Sequence, residues 1–269
     1  MRYRRVVSAV QKSGRAISAA VLAARVFRGA EIHLVSAVYP VRGRATYTRV
    51  RERLENLARA ALEEAARALE AEGVAPVKAL VYGKPHKAIL RYVSEVGADA
   101  LSIASASTLT PPPGLIGSTA SKLVLRCKRP VLVYTPASPP PPKEIGDVVV
   151  VFDRKHAMEE LLLTARKVGG EASISLAIMA ADREAAAREA LEASRRTGIR
   201  AHVLPVRGGS VDKLVDALKG HDLVIVGRHA VVREITRLVP FLDRVMGRRS
   251  FTELGLALLS LSPAPVLVI

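Results

Sequence analysis

The chain has 269 residues, 49% of them apolar and 4% aromatic with no Trp, which allows two domains with cores of Val, Leu, Ile and Ala. A single cysteine, Cys127, excludes an internal disulfide. No window approaches ~18 uninterrupted apolar residues, which excludes a transmembrane helix, and the basic start MRYRRVVSAV reads as a strand, not a signal peptide. The expectation is a cytoplasmic protein.

The net charge of +16 is unevenly placed. Residues 1–134 hold 22 basic and 9 acidic side chains, net +13, and residues 145–269 hold 18 and 15, net +3. Such asymmetry points to an acidic partner (nucleic acid, a membrane surface or an anionic ligand) or to the habit of an Arg-rich, Ala-rich proteome. The Arg share with short loops also fits a thermophile.

The first predicted strand is Arg5 to Val10, followed by an apolar-periodic helix from Ser13 to Arg28. A strand over Glu31 to Val38 leads to a long charged helix from Thr46 to Glu72. A third strand spans Val77 to Tyr82, and Gly83-Lys84-Pro85 opens a helix with Pro in its first turn. A fourth strand, Ala98 to Ala104, leads to a Pro-rich loop. A helix then starts at Gly117-Ser118, and Pro130 to Tyr134 closes the copy. Residues 135–146, with Pro139 to Pro142 in a row, read as an extended spacer. Beyond it the pattern repeats, with strands near Val148–Phe152, Ser173–Met179, His202–Val206, Asp222–Gly227 and Pro265–Ile269.

Two landmarks recur: Val81-Tyr82-Gly83-Lys84-Pro85 against Val206-Arg207-Gly208-Gly209-Ser210, and Arg129-Pro130-Val131-Leu132-Val133 against Ala264-Pro265-Val266-Leu267-Val268. The expected domains are therefore 1–134 and 147–269. Each is an α/β fold, a Rossmann-like or flavodoxin-like open parallel sheet covered on both faces.

In such sheets ligands bind beyond the carboxyl ends of the strands, where the strand order switches. Gly117-Ser118 begins a helix there, and a helix N-terminus offers free N–H groups to a phosphate. Ordinary capping by a Gly-Ser pair is the alternative. The six histidines form no metal-ligand spacing, and no nucleophile elbow or P-loop is present. Asp153, with Arg154 and Lys155, reads as a strand end that caps the next helix. Cys127 reads as packing.

Two basic stretches remain. Residues 41–53, VRGRATYTRVRER, with Tyr39 close by, offer Arg and Tyr to a nucleic-acid backbone and its bases, or form a solvated face, or supply phosphate contacts to the pocket. Residues 228–250 carry Val231, Val232, Ile235, Leu238, Val239 and Leu242 at helical spacing. They read as a helix packed on its own domain, with a lid, a partner-binding helix or a membrane-surface helix as alternatives.

The order of these landmarks resembles the universal stress protein family across nearly the whole chain, twice. That family carries Asp-Gly-Ser after the first strand and G-x-P before the third helix. It also carries Gly-x-x-Gly, nine residues, then Gly-Ser or Gly-Thr, and a last strand Pro-Val-Leu-Val. Nucleotide-binding members hold ATP with the first Asp and the glycines. Carried onto the first copy, the resemblance assigns Gln11-Lys12-Ser13 to the Asp-Gly-Ser position, Ala104 and Ser107 to the early glycines, and Gly117 and Ser118 to the last pair. In the second copy it assigns Asp153, Gly227 and Ala230, while an ungapped count back from Pro265 puts Thr252-Glu253 in the Gly-Ser slot. Gln11 brings no carboxylate, and Glu253 would repel phosphate.

The resemblance thus implies a non-enzymatic module whose nucleotide, ATP with Mg²⁺, is weakly bound or lost, and which acts through a protein partner. A genuine, slowly hydrolysing ATP-binding protein and a basic nucleic-acid-associated protein are the alternatives. The resemblance also implies pairing of the two Pro-Val-Leu-Val strands as an internal pseudo-dimer, or a dimer of chains.

Overall fold

The computed structural model describes residues 3–39, 46–105, 116–204, 206, 210–234 and 249–269. The chain divides into two compact units, Met1–Tyr134 with Pro140–Lys143, and Thr135–Pro139 with Glu144–Ile269. The proline run is thus shared out between the units. Arg25 donates to the carbonyls of Pro141 and Pro142 at 2.7 and 2.8 Å, and Thr135 Oγ1 donates to Ser262 O at 2.7 Å.

The first unit runs β1 (Arg5–Ala9), α1 (Gly14–Val26), β2 (Glu31–Val38), α2 (Thr46–Glu70), β3 (Val77–Tyr82), α3 (Pro85–Glu95), β4 (Ala100–Ala104), α4 (Ser118–Arg126) and β5 (Val131–Tyr134). Its strands are parallel in the order β3-β2-β1-β4-β5. β1, β4 and β5 are almost wholly buried runs of Val, Leu and Ile, as a sheet covered on both faces requires. α1 packs with α2, and α3 with α4, so right-handed crossovers put one pair on each face. α1 buries Ala16, Ala19, Ala20 and Ala23, small side chains that let it lie close to the sheet. Ser102 on β4 uses this closeness, donating to Ala19 O at 2.9 Å.

The second unit runs β6 (Asp147–Phe152), α5 (Met158–Gly169), β7 (Ser173–Ile178), α6 (Arg183–Thr197), β8 (His202–Leu204), α7 (Val211–Ala217), β9 (Leu223–Val226), α8 (Arg228–Val231), β10 (Val232–Glu234), β11 (Arg249–Phe251), α9 (Glu253–Leu261) and β12 (Val266–Val268). Its parallel order β8-β7-β6-β9-β12 repeats that of the first. Both halves therefore have the doubly wound α/β architecture with a topological switch, between β1 and β4 in one and between β6 and β9 in the other.

The helix expected over residues 228–250 is corrected at both of its ends. Among the described residues of this stretch, only Arg228–Val231 is helical. The β-branched Val231-Val232 pair then favours extension, and β10 pairs antiparallel with β11, Val232 opposite Phe251. Residues 235–248, with the rest of the expected apolar stripe, lie outside the described residues.

Candidate functional site

The first switch point opens a cavity of about 200 Å³. β1 ends at Ala9, the chain turns through Val10 and Gln11, and α1 begins after Ser13. β4 ends at Ala104, and Ser105 is tied to β5 through its N–H on Tyr134 O at 3.0 Å. Gly117 N then donates to Ser105 O at 2.7 Å, fixing the start of α4 against the end of β4. The cavity lies between these segments. Gln11, Ala104, Ser105, Gly117, Ser118 and Thr119 line it, Ser36 comes from β2, and Pro85 and Ile89 of α3 contribute to its wall.

The electrostatics come from the backbone. Gly117 is the N-cap of α4 and supplies no side chain to the first turn. Among the described residues no side chain caps the N–H groups of Ser118, Thr119 and Ala120, which start a helix beside the cavity, where a helix carries roughly half a positive charge. Among the described residues the lining has hydroxyls, one amide and backbone donors, with no carboxylate, imidazole or ammonium. Such a lining offers hydrogen-bond donors to an acceptor or a negative charge.

The second switch point is arranged differently. Gly227 follows β9 at φ −67°, a conformation open to any residue. What it lacks room for is a Cβ, which would stand 2.5 Å from His156 Cβ and 2.8 Å from Cγ. The imidazole thus lies directly on the end of β9, with Nε2 3.0 Å from Glu160 Oε2. The start of α9 is closed as well. Thr252 is its N-cap, accepting from Gly255 N at 2.8 Å and donating to Ala230 O. A Cβ at Gly255 would stand 2.3 Å from Val231 O, so the first turn of α9 lies against the α8 backbone. The loop after β6 keeps a buried carboxylate: Asp153 Oδ1 accepts from Lys155 N at 3.1 Å, and Oδ2 has no hydrogen-bond partner among the described residues. The Lys155 ammonium lies 3.5 Å from that oxygen.

The universal stress protein family profile matches residues 2–135. The first half of the chain belongs to that family. Over its full length it is similar to a universal stress protein from Archaeoglobus fulgidus DSM 4304, at 17% identity and a TM-score of 0.66, covering 100% of this chain and 98% of that one. It is also similar to a putative universal stress protein from Pseudomonas aeruginosa UCBPP-PA14, at 18% identity and a TM-score of 0.60, covering 99% and 93%. At these identities the likeness shows the fold. No curated protein matches the chain in sequence.

The residues singled out in the sequence separate into groups. Gln11, Ala104, Gly117 and Ser118 meet at one cavity. Ser13 caps α1, accepting from Ala16 N at 3.3 Å. Ser107 and the prolines at 111–113 lie outside the described residues. Asp153 and Gly227 stand at the ends of β6 and β9, with His156 against Gly227, and Ala230 is buried in α8. Asp153 forms a local turn with Lys155 N and caps no helix. Thr252-Glu253 begins α9 as Gly117-Ser118 begins α4, so the ungapped count finds equivalent positions. Arg154 stands where the family pattern has glycine and keeps a left-handed φ of 65°. No motif or spacing assigns His156 a role. Its only signal is its place, three residues after the strand-end Asp153. Among the described residues no helix is long and apolar enough to cross a membrane.

Proposed function

We propose that the chain is a non-enzymatic stress-protein module. Its first half takes up a nucleotide-class anion weakly, with ATP–Mg²⁺ the first candidate, and its second half has given up the equivalent crevice. The observation that carries this reading is the contrast between α4 and α9: one N-terminus is uncapped beside a cavity, the other is capped by Thr252 and packed on α8. Weak binding follows from the size of the cavity, about 200 Å³, against the roughly 300 Å³ and above usual for ligand sites. It also follows from Ala104, whose Cβ replaces the glycine of nucleotide-binding relatives. A lining without carboxylate or imidazole supports holding a ligand over acid–base turnover. A signal read from such a ligand would pass to a protein partner.

Calorimetric titration of the nucleotide-stripped chain with ATP–Mg²⁺, at low and moderate salt, tests the reading. The expected result is one site per chain with a dissociation constant between micromolar and millimolar, lost in Gly117→Asp. Aspartate is a good N-cap, so that variant keeps α4 while placing a carboxylate where the anion would sit. No heat at millimolar ATP overturns the reading, and steady ATP hydrolysis overturns its non-enzymatic part.

A further inference from the structure

Outside the cavity lining, four cations gather around the buried His86. Lys84 and Lys87 come from the start of α3, and Lys122 and Arg126 stand one turn apart on α4. Their charges all act on the imidazole, and every charge acting on it is positive. Among the described residues none of the four takes part in an ion pair. Four like charges on two packed helices repel one another and are stabilised by a polyanion.

Beside this cluster stand two aromatic rings. Tyr82 ends β3 two residues before Lys84, and the β2–β3 register sets Val38 opposite Tyr82, which puts Tyr39 at the neighbouring strand end. The two are 52% (Tyr39) and 42% (Tyr82) exposed, and they are the large aromatic side chains that the described residues leave in solvent. The Arg51 guanidinium lies over the Tyr82 ring, 5.7 Å from its centroid. An acidic protein surface would use the cations and leave the rings idle. A duplex keeps its bases stacked inside. A single strand offers phosphates to cations and unstacked bases to flat rings.

We propose that this edge of the first half binds single-stranded nucleic acid, with phosphates on Lys84, Lys87, Lys122 and Arg126 and bases stacked on Tyr39 and Tyr82. None of these six side chains lines the cavity, and the proposal does not depend on a nucleotide there.

The test is fluorescence anisotropy of a labelled mixed-sequence RNA of about twelve nucleotides, long enough to meet four cations at one phosphate each, with the full chain between 50 and 200 mM KCl. Four phosphate contacts predict a log–log salt slope of about −3, an affinity loss of roughly fiftyfold over that range. Replacing all four cations by Gln should flatten the slope and weaken binding more than tenfold. Tyr39→Ala and Tyr82→Ala should each weaken binding about fivefold or more at an unchanged slope. A charge-matched control, Gln at Arg188, Arg195, Arg200 and Lys213 of the second half, should stay within about twofold, since contact and not net charge carries the binding. Thermal melts establish that each variant folds. Equal loss in the control overturns the proposal, as does absence of wild-type binding at 50 mM salt. Displacement of the RNA by polyglutamate as readily as by unlabelled RNA overturns it in favour of an acidic protein. Gly117→Asp should leave RNA binding unchanged, and its loss there would move the strand into the cavity and overturn the assignment to this edge.

Discussion

Gly227→Ala examines the second crevice directly. The backbone at Gly227, φ −67° and ψ 143°, accepts alanine without strain, so the whole penalty comes from His156. The new Cβ would stand 2.5 Å from His156 Cβ, where carbon atoms ordinarily rest about 3.5–4.0 Å apart. The His156 backbone, which carries that Cβ, must retreat by about 1 Å, an overpacking that costs about 1–3 kcal/mol. For a unit of this size that lowers Tm by roughly 3–12 °C. Differential scanning calorimetry reads the shift, and a double-mutant cycle assigns it. His156→Gly removes the obstacle, Cβ included, so Gly227→Ala placed on that background should cost about 1–2 kcal/mol less than it does alone. An unchanged Tm in Gly227→Ala, or strict additivity with His156→Gly, would refute the placement of His156 against β9.

Three further outcomes follow from the same contacts. Gly255→Ala should cost more than Gly227→Ala, above about 3 kcal/mol by urea unfolding, because its Cβ meets the O, Cα and C atoms of the Val231 backbone at 2.3, 2.8 and 2.9 Å, whereas Gly227 meets the side chain of a residue outside the helices and strands. Ser13→Ala should lower stability by about 1 kcal/mol, the usual worth of an N-cap, while leaving any calorimetric ligand affinity unchanged, since Ser13 caps α1 and does not line the cavity. His86 gives a pH signature. Burial, followed by the charges of Lys122, Arg126, Lys87 and Lys84, lowers its pKa from 6.5. Below 6.5 the unfolded chain takes up a proton that the folded chain refuses, so stability falls as pH drops through that window and levels off below the folded pKa. His86→Gln should flatten that part of a pH series of thermal melts.

Much of the fold was legible because buried parallel strands announce themselves. The bounds of β2 and β3 match those read from the sequence, and Pro85 marked the start of α3. The repeated landmarks located both switch points, and spacing alone placed Thr252 opposite Gly117. At its two ends the helix read over 228–250 gave way to strands, because Val231-Val232 prefers extension and Arg249–Phe251 pairs with it, which an apolar period does not reveal. At the site, the sequence brought Gln11, Ala104, Gly117 and Ser118 to one place, since all flank the ends of β1 and β4. It could not tell that Ser13 spends its hydroxyl on Ala16 N, nor that Gly227 faces a side chain instead of a phosphate. Both are matters of side-chain direction, which periodicity does not encode. Gly227 shows the point most clearly: a glycine in a fingerprint position has its smallness used here by His156.

The most direct test of the central claim, one open cleft in the first half and one closed in the second, is an amide chemical-shift titration of the isotope-labelled chain with ADP. The account predicts the largest changes at Ser118, Thr119 and Ala120, the uncapped turn of α4, with smaller ones near Gln11 and none at Arg228 to Ala230 or Glu253 to Gly255. Changes confined to the second half, or equal in both, would contradict it.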